Sequence, residues 1–141
     1  MSAIGDWLRF AAEDMQMAEL ALKAEIFNQT CFHAQQCVEK VLKAWLAHHG
    51  HVPPRVHQMS LLLKLCPQPL PFPATLETNV LALDRFYIPT RYPDALPGAL
   101  PHGLPDKRDA EEAFTTANQV LTAVADLLKT SGTAADDPAT A

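Results

Sequence analysis

An all-α, antiparallel up-and-down bundle of four long helices and one short helix is the fold class this sequence predicts. Apolar residues recur at helical spacing through long stretches, and the prolines fall between those stretches rather than inside them. No run alternates with the period of two expected of a strand. The 141 residues suit one domain, taken as a bundle over 1–130 followed by a disordered tail over 131–141.

The first helix is expected over residues 3–26. Trp7, Ala11, Ala18 and Ala21 line one face, with Leu8, Met15 and Leu22 beside it. Asp14 sits in the middle of that face, where an isolated charge would be costly. It is read as a structural acid bonded to a neighbouring Arg, Tyr or His, with a catalytic carboxylate as the alternative.

The stretch from Asn28 to Gly50 organises the chain, with Asn28 expected as its N-cap. Phe27, Cys31, Ala34, Val38, Val41 and Trp45 form one stripe, flanked by Phe32, Leu42 and Leu46. The apolar arc spans roughly 200°, too wide for a helix resting on a surface, so this helix is expected at the centre. Gln35 falls inside the arc and needs hydrogen-bond partners. Gln36, Lys40 and Lys43 stack along the narrow polar strip. The link to the first helix is short, which forces an antiparallel pair.

Gly50 is expected to end the central helix, with Pro53 and Pro54 preventing its resumption. His48, His49, His51 and His57 crowd this corner, but no local Cys or carboxylate joins them, so no metal site is assigned. Gln58 to Cys66 forms a short helix with Met59, Leu62, Leu63 and Cys66 inward. The proline-rich run from Pro67 to Pro73 is loop, and a fourth helix follows from Ala74 to Tyr87 on the stripe Leu76, Val80, Leu83, Tyr87. Residues 88–105 hold five prolines and two glycines and form a long loop. Asp106 caps the last helix, whose stripe is Ala110, Ala113, Phe114, Ala117, Leu121, Val124 and Leu128.

Composition bounds the function. The net charge of −5 argues against a protein that grips nucleic-acid backbone as its main task. No apolar run reaches the length of a membrane span, and the N-terminus lacks a signal-peptide layout, so a cytoplasmic location is expected. Three cysteines without a CxxC pair read as reduced core thiols. The common nucleotide-loop, zinc-protease and serine-hydrolase motifs are missing from the sequence. Arg91 and Tyr92 suit a phosphate and a base, since guanidinium offers a planar fork of donors and the ring a stacking face.

Trp7, Ala11 and Asp14, the run from Phe32 through Leu46, His57 with Leu61, and Arg91-Tyr92-Pro93-Asp94 occur in an order that resembles the HEPN domain, named for higher eukaryotes and prokaryotes nucleotide-binding. The similarity spans residues 5–130. It implies a helical bundle, frequently a homodimer, in a family associated with nucleotide binding. Many bacterial members are encoded beside a minimal nucleotidyltransferase, sometimes as toxin–antitoxin pairs. Catalytic relatives are ribonucleases that use Arg followed by four to six residues and then His; no arginine of this chain has a His at that spacing.

The expectation is therefore a non-catalytic nucleotide-binding or partner-binding module that dimerises and acts with a minimal nucleotidyltransferase partner. A nucleoside phosphate such as ATP or GTP would be held by Gln36, Lys40, Lys43, Arg91 and Tyr92, where the Arg91–Asp94 loop folds over the polar strip. Asp14 and Gln35 are structural, and no catalytic residue is assigned. Two alternatives stand beside this: a ribonuclease or toxin in which Arg91 meets His33 or His102 through folding, and a helical adaptor with a vestigial pocket.

Overall fold

The computed structural model of the chain describes residues 3–86 and 103–136, with side chains described through Lys129. Five α-helices follow in order: α1 (Ala3–Lys23), α2 (Phe27–His48), α3 (Met59–Leu65), α4 (Ala74–Ala82) and α5 (Lys107–Asp136), with a 3-10 turn over Leu83–Phe86 after α4. The fold is all-helical, as expected. Among the described residues it contains no strand.

α1 and α2 form a tight antiparallel hairpin. Their seam is built from small side chains, with Ala11, Ala18 and Ala21 of α1 buried and Cys31, Ala34, Cys37, Val38 and Val41 of α2 fully buried. Small residues let two helix axes approach closely. α1 ends at Lys23 rather than at residue 26, because Glu25 takes a left-handed conformation at φ 61°. The backbone N–H groups of Glu25 and Ile26 then donate to the carbonyls of Leu22 and Ala21, which closes a Schellman-type end. That early stop moves the start of α2 to Phe27, with Ile26 at the N-cap position, so Asn28 lies inside the first turn and does not cap. Gly50 closes α2 in the same way at φ 81°, with His51 N–H donating to the carbonyl of Leu46.

α2 is the central helix. Thirteen of its 22 residues are buried, and Leu42 and Leu46 each contribute roughly 1.5–3 kcal/mol of burial. α5 packs against both α1 and α2. Its buried stripe is Ala110, Ala113, Ala117, Val120, Val124 and Leu128; Phe114 and Leu121 sit half-buried at its margin, and Val120 takes the central place. Asp106 caps α5 reciprocally: its carboxylate accepts from Asp109 N–H, while Asp109 accepts from Asp106 N–H. α5 continues to Asp136, into the stretch 131–141 expected as a tail. Residues 137–141 lie outside the described residues.

α4 is shorter than expected, nine residues followed by the tighter 3-10 turn, and the stripe position at Tyr87 lies outside the described residues. Leu76, Val80, Leu83 and Phe86 anchor this segment in the core. Asp84 of the turn accepts hydrogen bonds from the backbone N–H of Met59 and Ser60, at 2.6 and 3.3 Å. It thereby caps α3, whose own N-cap residue, Gln58, makes no side-chain bond.

Candidate functional site

Two carboxylates in the α2 environment each gather a lysine and a histidine. Asp14 of α1 is 8% exposed and faces α2 across the helix seam. Its carboxylate accepts from the His33 ring at Nδ1, 2.9 Å away, and from the Lys40 ammonium. His33 and Lys40 lie seven residues apart, two turns along the same face of α2. Because a carboxylate can only accept here, Nδ1 of His33 carries the proton, and a neutral His33 presents Nε2 as a free lone-pair site. The side chains of His33 and Lys40 are 20% and 23% exposed, so the pair reaches solvent while its acid does not. The Phe32 ring stands edge-on to His33, 5.1 Å between centroids.

The second cluster lies deeper. Lys43 donates to Glu39, four residues earlier on α2, at 3.1 Å, and their side chains are 6% and 5% exposed. The indole ring of Trp7, from α1, stands 5.5 Å from the Lys43 ammonium. His57, on the segment between α2 and α3, donates from Nδ1 to Glu39 at 3.1 Å. The His57 carbonyl accepts from the Gln35 side chain at 3.0 Å, and the Gln35 oxygen accepts from Gln36 at 2.8 Å. Gln35, fully buried, therefore ties the post-α2 segment to α2 with both ends of its amide in use.

These positions change the expected site. Lys43 is not part of an exposed cationic strip: it is buried because Trp7 covers it and Glu39 neutralises it. Gln36 is turned toward Gln35, and Lys40 toward Asp14, so the three strip residues serve three different partners. Arg91, Tyr92 and Asp94 lie outside the described residues, as does His102, and the expected fold-back of their loop onto α2 has no described counterpart. Asp14 takes His33 as its partner. Glu39 and the cap at Asp84 escaped the sequence reading. Glu39 with Lys43 has the i, i+4 spacing of an ordinary surface pair, and nothing local distinguishes it.

The histidine-rich corner divides. His49 donates from Nδ1 to the Trp45 carbonyl at 2.9 Å, His48 stacks on the Trp45 ring, and His57 turns away to Glu39. Among the described residues no group of three or more His, Cys, Asp or Glu side chains is placed to hold a metal ion. No described helix is long and apolar enough to cross a membrane.

All three thiols are buried and free of disulfides. Burial raises the Cys31 thiol to about 12, with the nearby Asp109 charge adding to the effect, and raises Cys66 to about 11. Cys37 is raised as well, chiefly by burial and then by the charge of Asp14, which Lys40 partly offsets.

Comparison with known proteins places this geometry. The model of the HEPN domain family matches residues 4–127. The chain is 30% identical to a protein of Methanocaldococcus jannaschii named "Putative toxin MJ1304", across 87% of this chain and 86% of that protein. Its fold superposes on the crystal structure of TT1696 from Thermus thermophilus with a TM-score of 0.76 and 34% identity, covering 89% of this chain and 98% of that one. ST0689, described as an archaeal HEPN homologue, superposes with a TM-score of 0.70 and 31% identity, covering 92% of this chain and the whole of that one. The chain belongs to the HEPN domain family.

Proposed function

We propose that the protein is a toxin-type HEPN module that engages a phosphate-bearing nucleotide ligand at the α1–α2 seam and works with a protein partner. The observation that carries this is the Asp14-centred cluster: one buried acid holds a lysine and a histidine at the edge of solvent. A carboxylate shared by two donors fixes both side chains in place, so little ordering remains when a ligand arrives. Lys40 would meet a phosphate oxygen with the donors it does not spend on Asp14, and a protonated His33 would add a second. Similarity to a protein named as a toxin supports the biological class. The proposed partners are a second copy of the chain and a minimal nucleotidyltransferase. ATP or GTP is the proposed ligand class, with Lys40 and His33 replacing the Gln36, Lys40 and Lys43 strip as the contacts from α2.

A second reading, a ribonuclease, is favoured by one bond. Asp14 holds the His33 ring with its proton on Nδ1, which leaves Nε2 able to take a proton from a ribose 2′-hydroxyl. The acid orients the base as in other Asp–His pairs, and Lys40 would stabilise the phosphorane charge that develops.

Three assays on the parent, His33→Ala and Lys40→Ala separate these readings. Calorimetric titration of ATP and GTP tests binding: the parent should bind in the micromolar-to-millimolar range, and Lys40→Ala should weaken it about tenfold. Incubation with single-stranded RNA tests cleavage, which the ribonuclease reading requires and His33→Ala should abolish. Induced expression in a bacterial host tests toxicity. A parent protein that neither binds nucleotide, nor cuts RNA, nor slows growth leaves the proposal without support and returns the chain to an adaptor.

A further inference from the structure

Three of the described histidines have Nδ1 tied down, and they differ in what stands beside them. His33 donates from Nδ1 to Asp14 at 2.9 Å, His57 to Glu39 at 3.1 Å and His49 to the Trp45 carbonyl at 2.9 Å. A neutral imidazole held this way keeps its lone pair on Nε2. At His49 the acceptor is a backbone carbonyl, with no carboxylate behind the ring. At His57 the carboxylate is paired with Lys43, but that side chain is 6% exposed and closed in by Trp7. At His33 the carboxylate also holds Lys40, whose side chain is 23% exposed. Among the described residues, only His33 therefore combines an oriented ring, a carboxylate behind it and an ammonium at solvent.

The second nitrogen of His33 is open. Among the described residues, the ring makes its one hydrogen bond to Asp14. Trp45 Nε1 is the only buried side-chain nitrogen or oxygen among them that lacks a hydrogen bond, so the unbonded Nε2 of His33 lies at solvent. The ring is also steady: Phe32 packs edge-on at 5.1 Å, and His33 and Lys40 both project from α2. An imidazole in this state is a nucleophile. The Asp14 carboxylate stabilises the positive charge that the ring acquires when Nε2 forms a bond. Lys40 selects what is bonded. The N–H donors it does not give to Asp14 favour a transferred group that carries negative charge, and do nothing for a neutral acyl or alkyl group.

We propose that His33 is a phosphoryl-acceptor residue, taking a phosphoryl group on Nε2 from a small donor with a good leaving group. With phosphoramidate as the donor, the Nε2 lone pair forms the new N–P bond while the donor's own P–N bond breaks and ammonia departs. The Nδ1 proton stays between His33 and Asp14 throughout, and no oxidant or second reactant takes part. Before transfer, Asp14 and Lys40 balance each other beside a neutral ring. Afterwards Asp14 faces the imidazolium and Lys40 the phosphoryl oxygens, so each new charge has a counter-charge already in place. The inference rests on the same seam cluster as the proposed function, but requires neither nucleotide affinity nor RNA cleavage.

The test is incubation of the folded full chain with phosphoramidate near neutral pH, followed by intact-mass measurement and peptide mapping. A mass gain of one phosphoryl group is expected first on His33, lost in mild acid but kept in alkali, as an N–P bond requires. Phosphorus NMR should assign it to Nε2. His33→Gln should lose this label, with the melting temperature confirming that the variant is folded, and His49→Gln should leave it unchanged. Lys40→Ala should slow the transfer about tenfold. Lys40→Arg, which keeps the charge, should slow it less. Labelling of His33 no faster than of His49 or His57, attachment at Nδ1, or an unaffected rate in Lys40→Ala would overturn the proposal. A chain that takes the phosphoryl group yet neither binds ATP nor cuts RNA keeps this inference and loses the nucleotide and ribonuclease readings; the reverse result does the opposite.

Discussion

Asp14 and Glu39 hold the same chemical set, one lysine and one histidine each, and the two clusters behave as different kinds of structure. At Asp14 the acid comes from α1 and both partners from α2, so the cluster spans a helix–helix seam and its lysine and histidine reach solvent. At Glu39 the acid and lysine share one helix, Trp7 closes over them, and only the histidine, 48% exposed, touches water. Burial of the cation decides the difference. A buried ammonium has no alternative to its carboxylate, whereas a half-exposed one can exchange its carboxylate for water or a ligand.

Removing each acid tests that contrast most directly. Glu39→Ala leaves Lys43 buried without a counter-charge and should destabilise the protein by about 3–5 kcal/mol in urea unfolding. The double change Glu39→Leu with Lys43→Met should return most of that loss, since an apolar pair of similar volume needs no partner. A loss under about 1 kcal/mol for Glu39→Ala would mean that Lys43 finds water and that the two clusters are alike.

Asp14→Ala should cost less, about 1–3 kcal/mol, because Lys40 and His33 can turn to solvent. Asp14→Asn should be milder still, as the amide keeps an acceptor for one of the two donors. If Asp14→Ala melts like the parent, the seam does not depend on its acid.

The histidines should rank lower. His57→Ala removes one half-exposed bond to Glu39 and should cost about 0.5–1 kcal/mol, leaving the Gln35 bond to the backbone carbonyl intact. His33→Ala should have a comparably small effect on stability, and its consequence should appear in ligand binding or RNA cleavage instead.

A smaller and more local signal comes from the thiols. Cys37 lies close enough to Asp14 for that charge to act on it, so its alkylation reports opening of the seam. All three thiols should react slowly at pH 8, and Asp14→Ala should speed labelling of Cys37 more than of Cys66. The pH sign follows from the raised values. A thiol that holds its proton more tightly when folded contributes stability that is complete below the unfolded value of 9.0. That contribution is lost as pH rises toward about 11 for Cys66 and about 12 for Cys31. Urea midpoints measured between pH 8 and 11 should therefore fall, and Cys66→Ala should flatten the fall.

The sequence carried the bundle because its information is periodic. The α2 arc, the stop at Gly50 and the cap at Asp106 are all local patterns, readable from residues a few positions apart. The polar contacts are not local. Asp14 and Lys40 are 26 residues apart, Asp84 and Met59 25, and His57 and Glu39 18. Lys43 looked like a surface lysine because its own helix places Glu39 one turn away, and only Trp7 from another helix makes the pair a buried one.

The cap at Asp84 also implies an order of events as the chain is made. Met59 and Ser60 gain their acceptor only once the chain has been built through residue 84, and the residue before α3 supplies no cap of its own. A ribosome that has released α1, α2 and α3 has supplied both sides of the α1–α2 seam but not that acceptor. The hairpin should therefore pair first, and α3 should settle against it only when the turn after α4 has emerged.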